Sequence, residues 1–346
     1  MYRSGHRPGQ TVLAGLFGVS LAIGAASSTN AQGVAEFYKD KTIAMVIGIP
    51  PGGGYDIYAR LLARHLPKHI PGQPDILPQN LPGGGELNAA NYIVNVAPQD
   101  GTAMGAVVRT VPFLPLYGNT AAKFDPQTIH WLGSSNQDVG LFVVWRDGVD
   151  RTLADLNQRE LIVGTNPPGS DTHTIGNLLK NLFGLKLKLV GGYPGSEDIV
   201  LAMQRGEVQA ISNYSWSNLQ RRADLLKEKK VQVLLQNGLK KLPDWPDVPL
   251  ILELARSDEE RAILELMLGQ TTYGRPYFVA PKVPADRVAA LRVAFMATMR
   301  DQDFLENAKK QKLEIDPISG EDMQQAIARI YKTPAAVIEK ANAIRK

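Results

Sequence analysis

Two short loops carry the residue types most able to do chemistry. "IPPGGGYD" spans residues 49 to 56 and "TNPPGSDT" spans residues 165 to 172. Each follows an apolar run, holds a Pro-Pro-Gly, and reaches an aspartate (Asp56, Asp171) as a helical pattern begins. The prolines end a strand's ladder, and the glycines leave backbone N–H groups unshielded by side chains. A helix behind such a loop has unpaired N–H groups and partial positive charge at that end, which suits an anion. Two such loops from two domains would close on a small anion like a pincer. Charge-assisted hydrogen bonds contribute roughly 1.5–3 kcal/mol each. Three or four of them reach micromolar affinity, about −8 kcal/mol, once ordering costs are subtracted. A second reading stands beside this one: the glycines serve turn geometry, and Asp56 and Asp171 cap their helices.

Other chemistries lack their residues. The dinucleotide fingerprint breaks at Ile57, where its third glycine belongs, and no G-x-x-x-x-G-K-[ST] run occurs. The chain has no cysteine, so thiol nucleophiles, disulfides and zinc–thiolate sites are excluded. His65 and His69 stand four apart, but Pro67 lies between them and His65 sits beside an apolar stripe, which argues against a metal pair. Neither a metal nor a cofactor is expected. "GSDTH" brings Ser170, Asp171 and His173 together, and a hydrolase or lyase using them is the rival from another functional class. Against it, G-x-S-x-G is absent and triad members normally come from distant segments.

The elements that must position the loops follow from periodicity. "TIAMVIGI", "DILPQN", "TAMGAVV", "LFVVW", "LIVGT", "LKLKLV", "VQAISNY" and "PYFVAP" read as strands. Helices are expected after Asp56, over "LNAANYIVNVA", from "LADLNQ", over the stripe Ile175, Leu178, Leu179, Leu182 and Phe183, over "IVLAMQRGE" and over "DEERAILELML". Three more are expected near 284 to 300, 303 to 311 and 320 to 331. Strands alternating with helices predict a parallel sheet covered on both faces. No long Gly/Ser linker separates two halves, so the chain is expected to cross between domains.

At 346 residues and 44% hydrophobic, the chain suits two domains. The net charge of +4, without a basic block, argues against nucleic-acid binding. Arg3, His6 and Arg7, then "TVLAGLFGVSLAIGAA" and "STNA", read as a secretory signal over residues 1–31, cleaved before Gln32. The mature chain is then expected free in an extracytoplasmic space, with no lipid-bearing cysteine to tether it.

"PPGGGYDIYARLLARHL", "PQNLPGGGELNAANYIVNVAPQDGT", "NPPGSDTH", "GGYPGSEDIVLAMQRGEVQA" and "APKVPADRV" together resemble the extracytoplasmic receptors of tripartite tricarboxylate transporters, the Bug family. Pro51 to Asp56, Asn80 to Gly85 and Pro98 to Gly101 match its motifs, with Gln99 inserted in the last. The resemblance implies an α/β, two-domain, type II-like periplasmic binding fold, a Venus flytrap. Residues 32–137 would form the first part of domain 1, residues 138–258 domain 2, and residues 259–346 a return to domain 1. It implies a monomer that holds a small organic carboxylate, unaltered, and passes it to membrane permease subunits. Gly53, Gly54, Tyr55 and Asp56 would belong to the first ligand loop, Ser170, Asp171 and Thr172 to the second, and Tyr193 to a third. Arg109, followed by Thr110, stands at a strand end as a candidate partner for a second ligand carboxylate or as a surface arginine. Asn213 closes another strand and is expected at the cleft. Gln209 replaces the family's usual aspartate, which puts an acidic role there in doubt. A sensory ligand-binding protein would share the same fold.

Overall fold

The computed structural model describes residues 1–2, 33–84, 87–148 and 150–345; all but the first two residues of the expected leader lie outside them. The chain opens with β1 (Thr42–Ile47), α1 (Gly54–His65), β2 (Asp75–Asn80), α2 (Leu87–Asn95), β3 (Ala103–Ala106) and β4 (His130–Ser134). It then crosses to β5 (Gly140–Trp145), β6 (Leu161–Gly164), α3 (Asp171–Phe183), β7 (Leu187–Val190), α4 (Ser196–Gln204) and β8 (Ala210–Ser215). The short helices α5 (Trp216–Arg221) and α6 (Ala223–Lys227) lead to β9 (Val231–Asn237) and α7 (Asp258–Leu268). After a second crossing come β10 (Pro276–Val279), α8 (Ala285–Thr298), α9 (Gln302–Lys310), β11 (Ile318–Ser319), α10 (Gly320–Ile330) and α11 (Ala335–Ile344).

Helix boundaries follow from their caps. Ser257, Asp301 and Ser319 each accept a backbone N–H from the first turn of α7, α9 and α10. Gly184 ends α3 in the left-handed region, at φ 69°, and its N–H reaches back to the last carbonyls. The helix expected from "LADLNQ" is only a 3-10 turn at Asp155–Asn157.

The strands form two sheets, ordered β11-β4-β10-β3-β1-β2 and β7-β6-β8-β5-β9. Both are mixed, which corrects the parallel expectation. β1 runs parallel to β2 and β3, but β10 runs antiparallel to β3 and β4. β6 runs parallel to β7 and β8, whereas β5 opposes β8 and β9. The cause is the crossing. β4, β8 and β9 end at the hinge, while β5 and β10 begin there, so these two enter their sheets in the reverse sense.

The crossing segments pair with each other. Ser135 N–H donates to the Arg275 carbonyl at 3.2 Å, Gly274 N–H to the Asn136 carbonyl at 2.8 Å, and Asp138 N–H to the Thr271 carbonyl at 3.1 Å. A Cβ at Gly274 would meet Asn136 Oδ1 at 2.6 Å, so glycine permits this close approach. One core, with Met45, Tyr58, Trp131, Phe278 and Phe295, serves the first sheet. The second sheet is covered on its two faces by separate cores, one around Leu178, Leu235 and Leu264, the other around Ile199, Tyr214 and Leu219.

The expectation that residues 259–346 return wholly to the first domain is corrected for two helices. Ile263, Leu264, Leu266 and Met267 of α7 and Ala341 of α11 pack in the second domain's core. Their apolar faces match each other and that core, so the chain visits the second domain again before it ends. Leu264→Ala should lower unfolding stability by about 2–5 kcal/mol, because its side chain is fully buried there. The check is a lower urea midpoint at unchanged slope.

Candidate functional site

The C-terminal ends of β1, β3, β6 and β8 face a cleft of about 820 Å³ between the two domains. Gly52, Gly53, Gly54 and Tyr55 line it from one side, and Pro167 to Thr172 from the other. Ligands of open α/β sheets bind at such strand ends. The two glycine loops therefore do share one cavity. Arg109, Thr110 and Asn213 also line it.

Asp56 does not line it. It is 2% exposed and turns back beneath its own loop. Gly52 N–H donates to Asp56 Oδ2 at 2.9 Å, Asn80 Nδ2 to Oδ1 at 2.8 Å, and Arg60 Nε to both oxygens at 2.9 and 3.0 Å. Asn80 Nδ2 also donates to the Ile49 carbonyl at 2.8 Å. The Asp56 oxygens are thus occupied in folding the loop that exposes Gly53 and Gly54, and the side chain stands behind that loop rather than in the cleft. Gly53 itself is the extended N-cap of α1 and offers no side-chain cap.

The second loop is built from its own side chains. Ser170 caps α3, its Oγ accepting the His173 N–H at 3.3 Å. Thr172 Oγ1 accepts the Asn166 N–H at 2.8 Å and bonds Asn166 Oδ1 at 3.0 Å. His173 Nδ1 meets Thr165 Oγ1 at 3.2 Å, and burial lowers the imidazole's pKa. Ser170 Oγ has Thr172 Oγ1 rather than the imidazole as its side-chain neighbour, at 3.2 Å. Asp171 is engaged elsewhere. The hydrolase geometry, a nucleophile bonded to its base, is therefore not formed.

Tyr193 is not among the residues that line the cleft. Its ring packs toward Gly164, where an added Cβ would lie 3.5 Å from Tyr193 Cε2, and the cleft is lined instead by Gly195, Ser196 and Glu197 of that third loop. The Tyr193 carbonyl accepts from Asn166 Nδ2 at 2.9 Å, which ties the second and third loops together. Gln209 lies outside the lining. Its Oε1 accepts the Ile162 N–H at 3.0 Å, a structural bond along β6. Trp216 is 7% exposed and packs edge-on against Trp245.

Arg109 is neither a surface group nor free. It is 4% exposed, and its Nε and Nη2 reach Asp171 Oδ2 at 2.8 and 2.7 Å across the cleft. Its Nη1 donates to the Asp138 carbonyl at 2.7 Å, at the hinge. Burial opposes its charge, but Asp171, Tyr55 and Asp138 more than restore it, so its pKa is raised.

Four arginines and three carboxylates line the cleft: Arg109, Arg221, Arg275 and Arg345 against Asp138, Asp171 and Glu197. Arg221, Arg275, Arg345 and Asp138 escaped sequence reasoning, because they lie in segments without glycine loops. Asp138 falls between two strands that belong to different sheets, the one signal that could have marked it.

Burial alone would raise the Asp56 carboxyl; hydrogen bonds from Arg60, Gly52 and Asn80 outweigh it and hold the group below its ordinary value of 3.8. Its contribution to stability is therefore complete above that value and is lost as pH falls through the lower, folded-state pKa. In Asp56→Asn the acid limb of the stability–pH curve should flatten below about pH 4, measured by urea unfolding at stepped pH.

No protein-family model matches the chain. A UPF0065 protein from the gbd 5' region of Cupriavidus necator is 28% identical over 340 residues, covering 94% of this chain and 95% of that protein. A TctC solute-binding protein from Polaromonas superposes with a TM-score of 0.67 at 19% identity, over 89% of this chain and 98% of that one. MatC from Rhodopseudomonas palustris, solved with bound malate, does so with a TM-score of 0.59 at 18% identity, over 88% and 99%. The chain is thus similar in sequence to a UPF0065 protein along nearly its whole length, and similar in fold to a TctC solute-binding protein and to MatC.

Proposed function

We propose that the protein is a periplasmic receptor that binds a small organic carboxylate between its two domains, unaltered, and presents it to the membrane permease of a tripartite transporter. One observation carries this reading: two loops at helix N-termini, from opposite domains, line a single cleft. Their amides offer an anion preorganised donors and favourable helix dipoles. The bound malate in MatC is an anion of the same class. Export through a leader cleaved near Ala31 fits a receptor of this kind. Among the described residues no helix is long and apolar enough to cross a membrane.

Domain closure supplies the signal. A ligand that touches both loops stabilises the shut form over the open one by its differential contacts. The Arg109–Asp171 pair already joins the domains, so the shut form begins with part of that stabilisation. Arg109→Met should enlarge the radius of gyration of the ligand-free protein in solution scattering. An unchanged profile would show that the pair does not hold the cleft shut.

The decisive measurement is a thermal-shift panel of aliphatic, aromatic and hydroxy carboxylates, with neutral sugars, amines and simple esters as controls. A ligand at a hundred times its Kd adds about 2.7 kcal/mol of stability. At least one carboxylate should raise the melting temperature and be recovered chemically intact. Stabilisation by neutral sugars or amines alone, or turnover of an ester, would overturn the reading.

A further inference from the structure

We propose that Asp171 is an internal stand-in for a ligand carboxylate: it holds Arg109 across the cleft, and an incoming acid binds by displacing it. Asp171 thereby sets the affinity of the cleft. This deepens the receptor reading and rests on it.

A carboxylate of the chain itself already sits where the receptor reading places an acid. Asp171 lies in the first turn of α3, the helix end at which the second glycine loop would receive an anion. It lines the cleft beside Gly169, Ser170 and Thr172. From there its Oδ2 reaches the other domain and accepts from both Nε and Nη2 of Arg109, at 2.8 and 2.7 Å. An acid that bridges the domains would use the same two partners, the α3 terminus on one side and this guanidinium on the other.

The stand-in fits imperfectly. Both hydrogen bonds go to one oxygen, while Asp171 Oδ1 is buried with no hydrogen-bond partner. A carboxylate so placed loses water at two oxygens and gains donors at one. A free acid is not tied to the helix backbone, so it can offer both oxygens to the Arg109 fork, the bidentate geometry a guanidinium favours. Asp171 can then turn outward to water; its side chain is already 23% exposed.

Arg109 is held ready for such an exchange. Its Nη1 donates to the Asp138 carbonyl at 2.7 Å, which fixes the guanidinium whichever carboxylate it holds. Among the described residues it forms no salt bridge with another carboxylate. The Asp138 side chain is engaged elsewhere, its Oδ2 accepting from Ser217 Oγ at 3.0 Å and facing Arg275 Nη2 at 3.3 Å. Arg109 is 4% exposed, and a cation buried this deeply needs an anion beside it. The exchange is therefore one carboxylate for another, which a neutral ligand cannot drive.

The test is calorimetry of the wild type and of Asp171→Asn with the carboxylates of the thermal-shift panel, succinate, malate, adipate and benzoate among them. Asparagine keeps the shape and removes the competing charge. The acid that binds best should bind Asp171→Asn about tenfold tighter than the wild type, or more. Its thermal shift should also grow, because the ligand-free variant lacks the anion that Arg109 needs. A side chain that merely braced the loop would give the opposite sign, a weaker complex. If Asp171→Asn fails to fold by circular dichroism, a crystal of the wild type with its tightest-binding acid decides. There the acid's oxygens should lie within hydrogen-bond distance of Arg109 Nε and Nη2, with Asp171 turned away. An affinity unchanged or weakened in folded Asp171→Asn, or Asp171 still paired with Arg109 beside a bound acid, would overturn the stand-in while leaving the receptor intact. Failure of every acid to bind either protein would remove both readings.

Discussion

Arg109 is where the two domains and the hinge meet. Its guanidinium leaves the end of β3 in the first domain, bonds the start of α3 in the second, and donates to a backbone carbonyl of the crossing segment. A charge this deeply buried is tolerable only if opposing charge and acceptors surround it. That requirement constrains its neighbours. Asp171 must point across the cleft rather than along it, and Asp138 must turn its carbonyl inward. The Tyr55 hydroxyl accepts the Arg109 N–H at 3.4 Å. The geometry of the cleft follows from satisfying this one side chain.

Around that centre the work divides between backbone and side chains. The glycine loops present amides, while the acidic residues within them mostly serve the protein. Asp56 secures the first loop from beneath, and Ser170 and Thr172 brace the second. Main-chain groups of the glycine loops, four arginines and neutral side chains such as Thr110, Asn213 and Asn218 line the cavity, with Asp138, Asp171 and Glu197 among them. Sequence motifs alone could not separate a receptor from a hydrolase or lyase, because "GSDTH" places Ser170, Asp171 and His173 within four positions. In space the imidazole faces Thr165 instead.

Much of the local structure was legible. Helical stripes such as Ile175, Leu178 and Leu179 are buried, as their spacing requires, and the strands read from apolar runs form close to their expected positions. β4 and β9 were harder to see: the first contains Gly133 and a half-buried His130, and the second ends in the buried polar pair Gln236 and Asn237. Strand direction was not legible, since an apolar run reads the same whichever way it enters a sheet. The placement of α7 and α11 was equally hidden, because an amphipathic helix does not state which core its apolar face will meet.

From the sequence alone came the alternation of strands and helices, the glycine loops at strand ends and the absence of thiol chemistry. These depend on residues near one another in the chain, where periodicity and backbone freedom act directly. Only the tertiary structure decided that Asp56 faces inward, that Arg109 pairs across the cleft, and that Arg221 and Arg275 come to the same cavity. Those outcomes depend on groups separated by tens to hundreds of residues, and burial determines which partner each charge must find.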